Sequence, residues 1–125
     1  MVGELKKTDP FYNSKRWQHL RMSIMRRDEF MCQDAKRYGR MIPADLVHHI
    51  FPRDIFPEYQ WEPWNLIALS NKAHEEMHFR MSRELTDKGK ELLTRTARKR
   101  GMNLQEIEKR LNEQREESSY DHGRS

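Results

Sequence analysis

Cysteine is almost missing from this 125-residue chain. The single thiol, Cys32, excludes an internal disulfide and cannot build a thiolate metal site alone, so any bound metal must rely on histidine and carboxylate ligands. Apolar residues are scarce too. At 35% of the chain, with a mean hydropathy of −1.11, they leave little material for a large core in what has room for one small domain. No stretch approaches the roughly 20 apolar residues that span a bilayer. The polar start Met1-Val2-Gly3-Glu4-Leu5-Lys6-Lys7 lacks the apolar block of a secretory signal. The expectation is a cytoplasmic protein with no membrane partner.

Acidic residues are outnumbered. The net charge of +4 and pI near 9.3 favour a polyanionic partner modestly, and the distribution says more than the total. Residues 14–53 hold nine Lys/Arg against four Asp/Glu, whereas residues 104–121 hold three against six. Positive charge thus lies on the segment leading into a histidine pair, His48-His49.

Residues 1–13 read as a loose arm. Asn13 or Ser14 can cap a helix in which Trp17, Leu20, Ile24 and Met25 recur at helical spacing, ending near Asp28. From Met31 to Pro43 no period is sustained, so the stretch reads as a loop carrying Lys36, Arg37 and Arg40. Asp45 to Ile50 reads as a short strand closed by Pro52. A long connection with Pro57, Trp61, Pro63 and Trp64 leads to a second strand over 66–69. Ser70 or Asn71 then caps a helix expected to run to about Glu84, with Ala73, Met77, Met81 and Leu85 on one stripe and His74 and His78 beside it. The remainder reads as peripheral helices. Leu92, Leu93 and Ala97 mark one ending at Gly101, and Asn103 with Glu106 starts another bearing Leu104, Ile107 and Leu111.

Four of the six histidines fall in one window, with Asn65 between the two pairs. His74 and His78, four apart on a helix, can share an ion; considered alone, such a pair is more often an ordinary surface feature. His48 on the preceding strand changes that balance, because three imidazoles make half a coordination shell and leave positions for water and substrate. His49 is the next residue on an extended segment and points the other way. A neutral imidazole there can take a proton from water while a metal neutralises phosphate charge; a partly buried strand-end histidine is an equally good reading of the pair by itself. Asn65 can bond backbone groups of the long loop, orienting rather than reacting. Arg37, Arg40 and Lys72 are the candidate phosphate contacts.

The segments Val47-His48-His49-Ile50-Phe51-Pro52, Trp64-Asn65-Leu66-Ile67-Ala68-Leu69 and His74-Glu75-Glu76-Met77-His78, in this order, resemble the HNH endonucleases of the ββα-metal (His-Me finger) superfamily. Trp17-Gln18-His19-Leu20-Arg21, Arg27-Asp28-Glu29-Phe30-Met31-Cys32-Gln33 and the run 84–92 are similar to small HNH proteins of bacteriophages and prophages. The resemblance implies an α+β fold: a ββα-metal core with an N-terminal helix and a C-terminal helical extension. Together with the reading of the residues, this divides the chain into a flexible arm (1–13), an HNH nuclease domain (14–85), a helical extension (86–117) and a frayed tail (118–125). It further implies that His48, His74 and His78 bind one divalent ion (Mg, Mn, Ni or Zn), that His49 is the general base and that Asn65 braces the loop. The implied reaction is metal-dependent hydrolysis of DNA phosphodiesters, nicking included, in the cytoplasm of a bacterial host. The implied partner beyond DNA is the large subunit of a phage packaging terminase.

One departure stands out. Many such phage proteins carry a structural zinc on two Cys-x-x-Cys pairs, and the matching positions here are Cys32, Ala35, Ser70 and Ala73. A structural zinc on four cysteines is therefore not expected, and Trp17, Phe30, Tyr38, Trp61 and Trp64 are expected to hold the scaffold by packing. The competing function is a non-catalytic, metal-stabilised DNA-binding or packaging-accessory module, which would need no His49. If His49 is the base, cleavage is expected to fall below about pH 6.5, where a free imidazole protonates.

Overall fold

Two capping side chains organise the N-terminal end. In the computed structural model, which describes residues 9–82 and 84–113, the Asp9 carboxylate accepts from the Phe11 N–H at 3.0 Å. It thereby caps α1 (Pro10–Asn13), with Pro10 in the first turn. The Ser14 hydroxyl donates to the Phe11 carbonyl at 2.7 Å and accepts from the Trp17 N–H at 3.1 Å, capping α2 (Lys15–Arg27). α2 follows the expected span, with Trp17, Ile24 and Met25 buried. The arm expected over 1–13 is thus helical at its end. Residues 1–8, the last part of the expected extension (114–117) and the tail (118–125) lie outside the described residues.

After α2 the chain reverses through Glu29 and Phe30, both at φ 58°, a left-handed conformation costly for residues with a Cβ. Asp28 holds the reversal. Its carboxylate accepts from Arg27 Nε at 2.9 Å, from Arg27 Nη2 at 3.0 Å and from the Ala68 N–H at 2.9 Å. Arg27 also donates to the carbonyls of Pro63 and Leu66, so one ion pair ties the end of α2 to a strand edge. The loop expected over 31–43 contains a helix, α3 (Gln33–Arg37). Five residues cannot display a period, and its cap, Cys32, makes no side-chain hydrogen bond, so the sequence carries neither signal of a helix.

The two expected strands form an antiparallel ribbon, β1 (Leu46–His49) with β2 (Leu66–Leu69), in the register Leu46↔Leu69, Val47↔Ala68, His48↔Ile67 and His49↔Leu66. Alternation along each strand separates two cores. Val47, Leu66 and Ala68 pack under α2 with Trp17, Ile24 and Met25. Leu46, Ile67 and Leu69 face the larger core around Phe51, Phe56, Met77 and Leu93. His48 and His49 accordingly leave the ribbon on opposite faces.

Ser70 caps α4 (Asn71–Met77) by accepting from the Ala73 N–H at 3.2 Å. The helix ends well short of the expected Glu84, and Met81, placed on its apolar stripe by the sequence, is 93% exposed. The cause is Thr86. Its hydroxyl donates to the Glu76 carbonyl, its N–H reaches the Met77 carbonyl at 2.9 Å, and its oxygen accepts from the Gly89 N–H to start α5 (Asp87–Lys99). Those carbonyls are taken by the next helix, so His78 turns extended and forms an isolated bridge with Leu85. Gly89 permits the approach: a Cβ there would collide with the Met77 carbonyl oxygen and come within 2.9 Å of Leu85 Cδ2.

The C-terminal helices are not peripheral. Leu92, Leu93, Ala97 and Ile107 belong to the larger core. Gly101, at φ 65°, closes α5, and Asn103 Oδ1 caps α6 (residues 104–113) by accepting from the N–H groups of Gln105 and Glu106. Arg110 of α6 then clamps the long connection through Glu58 and the Ile55 carbonyl.

The scaffold aromatics differ in part from expectation. Trp17 is buried and Trp61 and Trp64 half-buried, but Phe30 is 49% and Tyr38 61% exposed. Phe51 and Phe56 take their place, packed edge to face at 5.1 Å within the long connection. At the positions matching the zinc cysteines, Cys32, Ala35 and Ala73 lie together in the apolar core and Ser70 serves as a helix cap.

Candidate metal centre and the histidine behind it

His48 occupies the α4-facing side of β1 and is only 2% exposed. Its Nε2 is, among the described residues, a buried side-chain nitrogen with no hydrogen-bond partner. Leaving such an atom unsatisfied costs about 1–3 kcal/mol, and a bound metal ion is a partner that would remove that cost. Two imidazoles stand in front of it: His74 on α4 and His78 just beyond its end. Their ring centroids lie 5.2 and 5.3 Å from that of His48 and 5.3 Å from each other. One nitrogen from each ring comes within 4.8 Å of the others. Burial, then the neighbouring His74, His78 and His49, drives the His48 pKa well below 6.5. It stays neutral, the form that coordinates metal. The donor set fits a divalent ion, and the half-buried rings of His74 and His78 leave an outward side for other ligands.

His78 reaches this cluster from extended backbone (φ −128°, ψ 146°) rather than from the helical turn that the spacing suggested. The i, i+4 spacing thus brings the two rings near each other although His78 lies past the end of α4.

His49 points into the α2 side, 7% exposed, with its ring stacked on Trp17 at 5.2 Å and 18°. Its Nε2 lies 3.1 Å from the Gln60 carbonyl. A carbonyl only accepts, so the proton sits on Nε2 and Nδ1 carries the lone pair. Burial lowers the pKa to about 4, opposed by the Gln60 carbonyl and assisted by the Arg53 charge. Desolvation thus keeps this imidazole neutral to lower pH than a free one.

Asn65 is fully buried at the mouth of β2. Its Oδ1 accepts from the Phe51 N–H at 2.7 Å, and its Nδ2 donates to the carbonyls of Phe51 at 3.2 Å and Tyr59 at 3.1 Å. One amide thus fixes both ends of the long connection. The Tyr59 carbonyl it holds lies in the peptide just before the one whose Gln60 carbonyl meets His49, so it also steadies the backbone that orients that ring.

Around His49 the structure brings in residues that the sequence reading passed over. Phe11 and Tyr12 pack within 5.6 and 6.3 Å of its ring. Arg53 pairs with Asp9 at 2.6 Å and lies over Phe11 at 4.3 Å. The Asp9-Pro10 pair, a cap followed by proline in the first turn, was the available signal for that helical turn. Arg53 offered none beyond its nearness to the strand end. Arg37, Arg40 and Lys72 are all exposed; Arg37 lines a cleft beside α5 in which Arg40 and Lys72 take no part.

Fold and donor set together define the class: the chain has a ββα-metal core with an N-terminal helix and helical C-terminal elements. It resembles the crystal structure of the HNH endonuclease of the deep-sea thermophilic bacteriophage GVE2 with manganese ion. The TM-score is 0.52 at 23% identity, over 58% of this chain and 79% of that one. No protein-family model and no curated protein matches the chain. Among the described residues, no helix is long and apolar enough to cross a membrane.

Proposed function

We propose that this protein is a metal-dependent DNA endonuclease of the HNH type. The observation that carries the reading is the orphaned His48 Nε2 meeting His74 and His78 on one face of the ribbon while His49, neutral and anchored through Nε2, backs the other. The neighbouring fold, crystallised with manganese, supports it.

His48, His74 and His78 hold one divalent ion; Mg, Mn, Ni and Zn all suit an open three-histidine site. Bound there, such an ion supplies positive charge against a phosphate. His49 Nδ1 takes the proton from the attacking water, and the Gln60 carbonyl keeps that nitrogen free by holding the other. Asn65 positions His49 through the adjoining backbone of Tyr59 and Gln60. The water oxygen bonds to phosphorus and the bond to the 3′ oxygen breaks, leaving 3′-hydroxyl and 5′-phosphate ends. Arg37, Arg40 and Lys72 contact flanking phosphates. One such centre cuts one strand, so nicking is the elementary event. A packaging role beside a phage terminase large subunit, in a bacterial host's cytoplasm, is the setting we infer from the phage-type motifs.

The alternative is a non-catalytic DNA-binding packaging module that uses the metal as scaffold. One observation favours it, the enclosure of His49 by Phe11, Tyr12 and Trp17. Incubation of supercoiled plasmid with Mg²⁺, Mn²⁺, Ni²⁺ or Zn²⁺, against EDTA, separates the two. Open-circular product with at least one metal supports the nuclease; metal binding with intact plasmid under all four supports the scaffold.

A further inference from the structure

Arg37 does not stand alone. It lines an open cleft of about 540 Å³ between α3 and α5, apart from the histidine centre, which contributes none of its lining. Lys36 joins Arg37 on the α3 wall, and Arg95 and Lys99, one turn apart, stand on the α5 wall. Trp64, Ile67 and Leu92 make an apolar floor.

The acids that would neutralise these cations are engaged elsewhere. Asp28, the single carboxylate of the lining, is held by Arg27 and by the Ala68 N–H. Asp34 of α3 pairs with Lys88 of α5 at 2.8 Å, which clips the two walls together without adding charge to the cleft. Glu91 reaches Arg95 at 3.3 Å but is well exposed, and such a pair is weak. Among the described residues, Lys36, Arg37 and Lys99 make no ion pair. Arg100, over the Trp64 ring at 4.2 Å, extends the positive rim. Unpaired like charges repel across an opening, and a polyanionic backbone relieves that repulsion while releasing its counterions. An apolar floor that includes one tryptophan, under a cationic rim, suits sugar-phosphate with attached bases better than an acidic protein surface.

We propose that the α3–α5 cleft is a second nucleic-acid surface, which grips a phosphodiester backbone away from the metal centre. That the polymer is DNA rests on the function proposed above.

The test is fluorescence anisotropy of a labelled DNA duplex titrated with the full chain in EDTA, over a range of salt. Three proteins are compared: wild type, the triple variant Lys36→Ala/Arg37→Ala/Lys99→Ala, and a control triple at exposed sites outside the cleft, Lys15→Ala/Arg26→Ala/Lys109→Ala. The cleft triple should bind about tenfold more weakly at 0.1 M salt. Its slope of log affinity against log salt should be shallower by about 2.7, about 0.9 for each lost contact. The control triple, with the same net charge, should stay near wild type. Equal loss in both triples, or unchanged binding in the cleft triple, overturns the proposal; unchanged DNA binding with lost poly-glutamate binding assigns the cleft to an acidic protein instead. If the triple variant folds poorly by circular dichroism, Lys99→Glu alone should weaken binding and make the slope shallower by about 0.9, with unchanged binding and slope overturning the proposal. Because binding is read without metal, a wild type that binds DNA and never cuts it removes the nuclease reading and leaves the cleft standing.

Discussion

Replacing Asn65 with alanine removes one acceptor and two donors from a fully buried position. The Phe51 N–H and the Phe51 carbonyl then lose their partner, while the Tyr59 carbonyl keeps the Glu62 N–H at 3.1 Å. A buried backbone group left unsatisfied costs about 1–3 kcal/mol. For the two Phe51 groups the total comes to about 2–6 kcal/mol, a large share of the roughly 5–15 kcal/mol of a native domain. Asn65→Asp should be no better, since it keeps the Phe51 N–H contact and sets a carboxylate against two carbonyls. Urea unfolding measures the loss. The functional consequence is selective: the backbone at Tyr59 and Gln60 loosens, His49 loses its orientation, and nicking at 15 °C should fall about a hundredfold. Mn²⁺ affinity should persist, because the ligands sit on β1, on α4 and just past its end, and the bonds of the Asn65 side chain go to Phe51 and Tyr59. A stability loss below about 1 kcal/mol, or Mn²⁺ affinity falling in step with cleavage, would refute the reasoning.

Two further perturbations bear on the same architecture. Gly89→Ala should stabilise by about 1 kcal/mol on helix propensity alone. The collision with the Met77 carbonyl predicts a loss of about 1–3 kcal/mol instead, together with weaker Mn²⁺ binding because His78 follows Met77; a rise in melting temperature would contradict the contact. In metal-free protein, the unfolded chain protonates its histidines below pH 6.5 while the folded chain keeps His49 neutral to about 4, so acid favours unfolding. Stability should be flat above pH 6.5 and fall by about 3 kcal/mol towards pH 4 from His49 alone, with His48 acting in the same direction. Denaturant titrations in EDTA across that range should give a shallower decline in His49→Gln, and a flat wild-type profile would rule out the buried neutral imidazole.

Much of the core was legible because its signals are local. Ser14 and Ser70 cap where hydroxyls precede apolar periods, and the strand at 66–69 shows a short apolar run bounded by turn residues. The separation of His48 from His49 follows from strand alternation alone. What escaped depends on contacts distant in sequence. The early end of α4 is decided by Thr86 and Gly89, which take its last carbonyls, and helix periodicity in 70–85 says nothing of them. α3 is too short to announce itself. The depth of His49 depends on Phe11, Tyr12 and Trp17 arriving from the N-terminal segment, so a reference pKa misjudged it. The pairing of α3 and α5 across a basic cleft arises from tertiary packing, whereas the sequence offered only scattered cations.

Calorimetric titration of Mn²⁺ into His49→Ala and His74→Ala tests the division of labour across the ribbon most directly. His49→Ala should bind Mn²⁺ much as the wild type does while leaving supercoiled plasmid uncut, and His74→Ala should lose binding and cleavage together. Equal loss of Mn²⁺ affinity in the two variants would contradict the account.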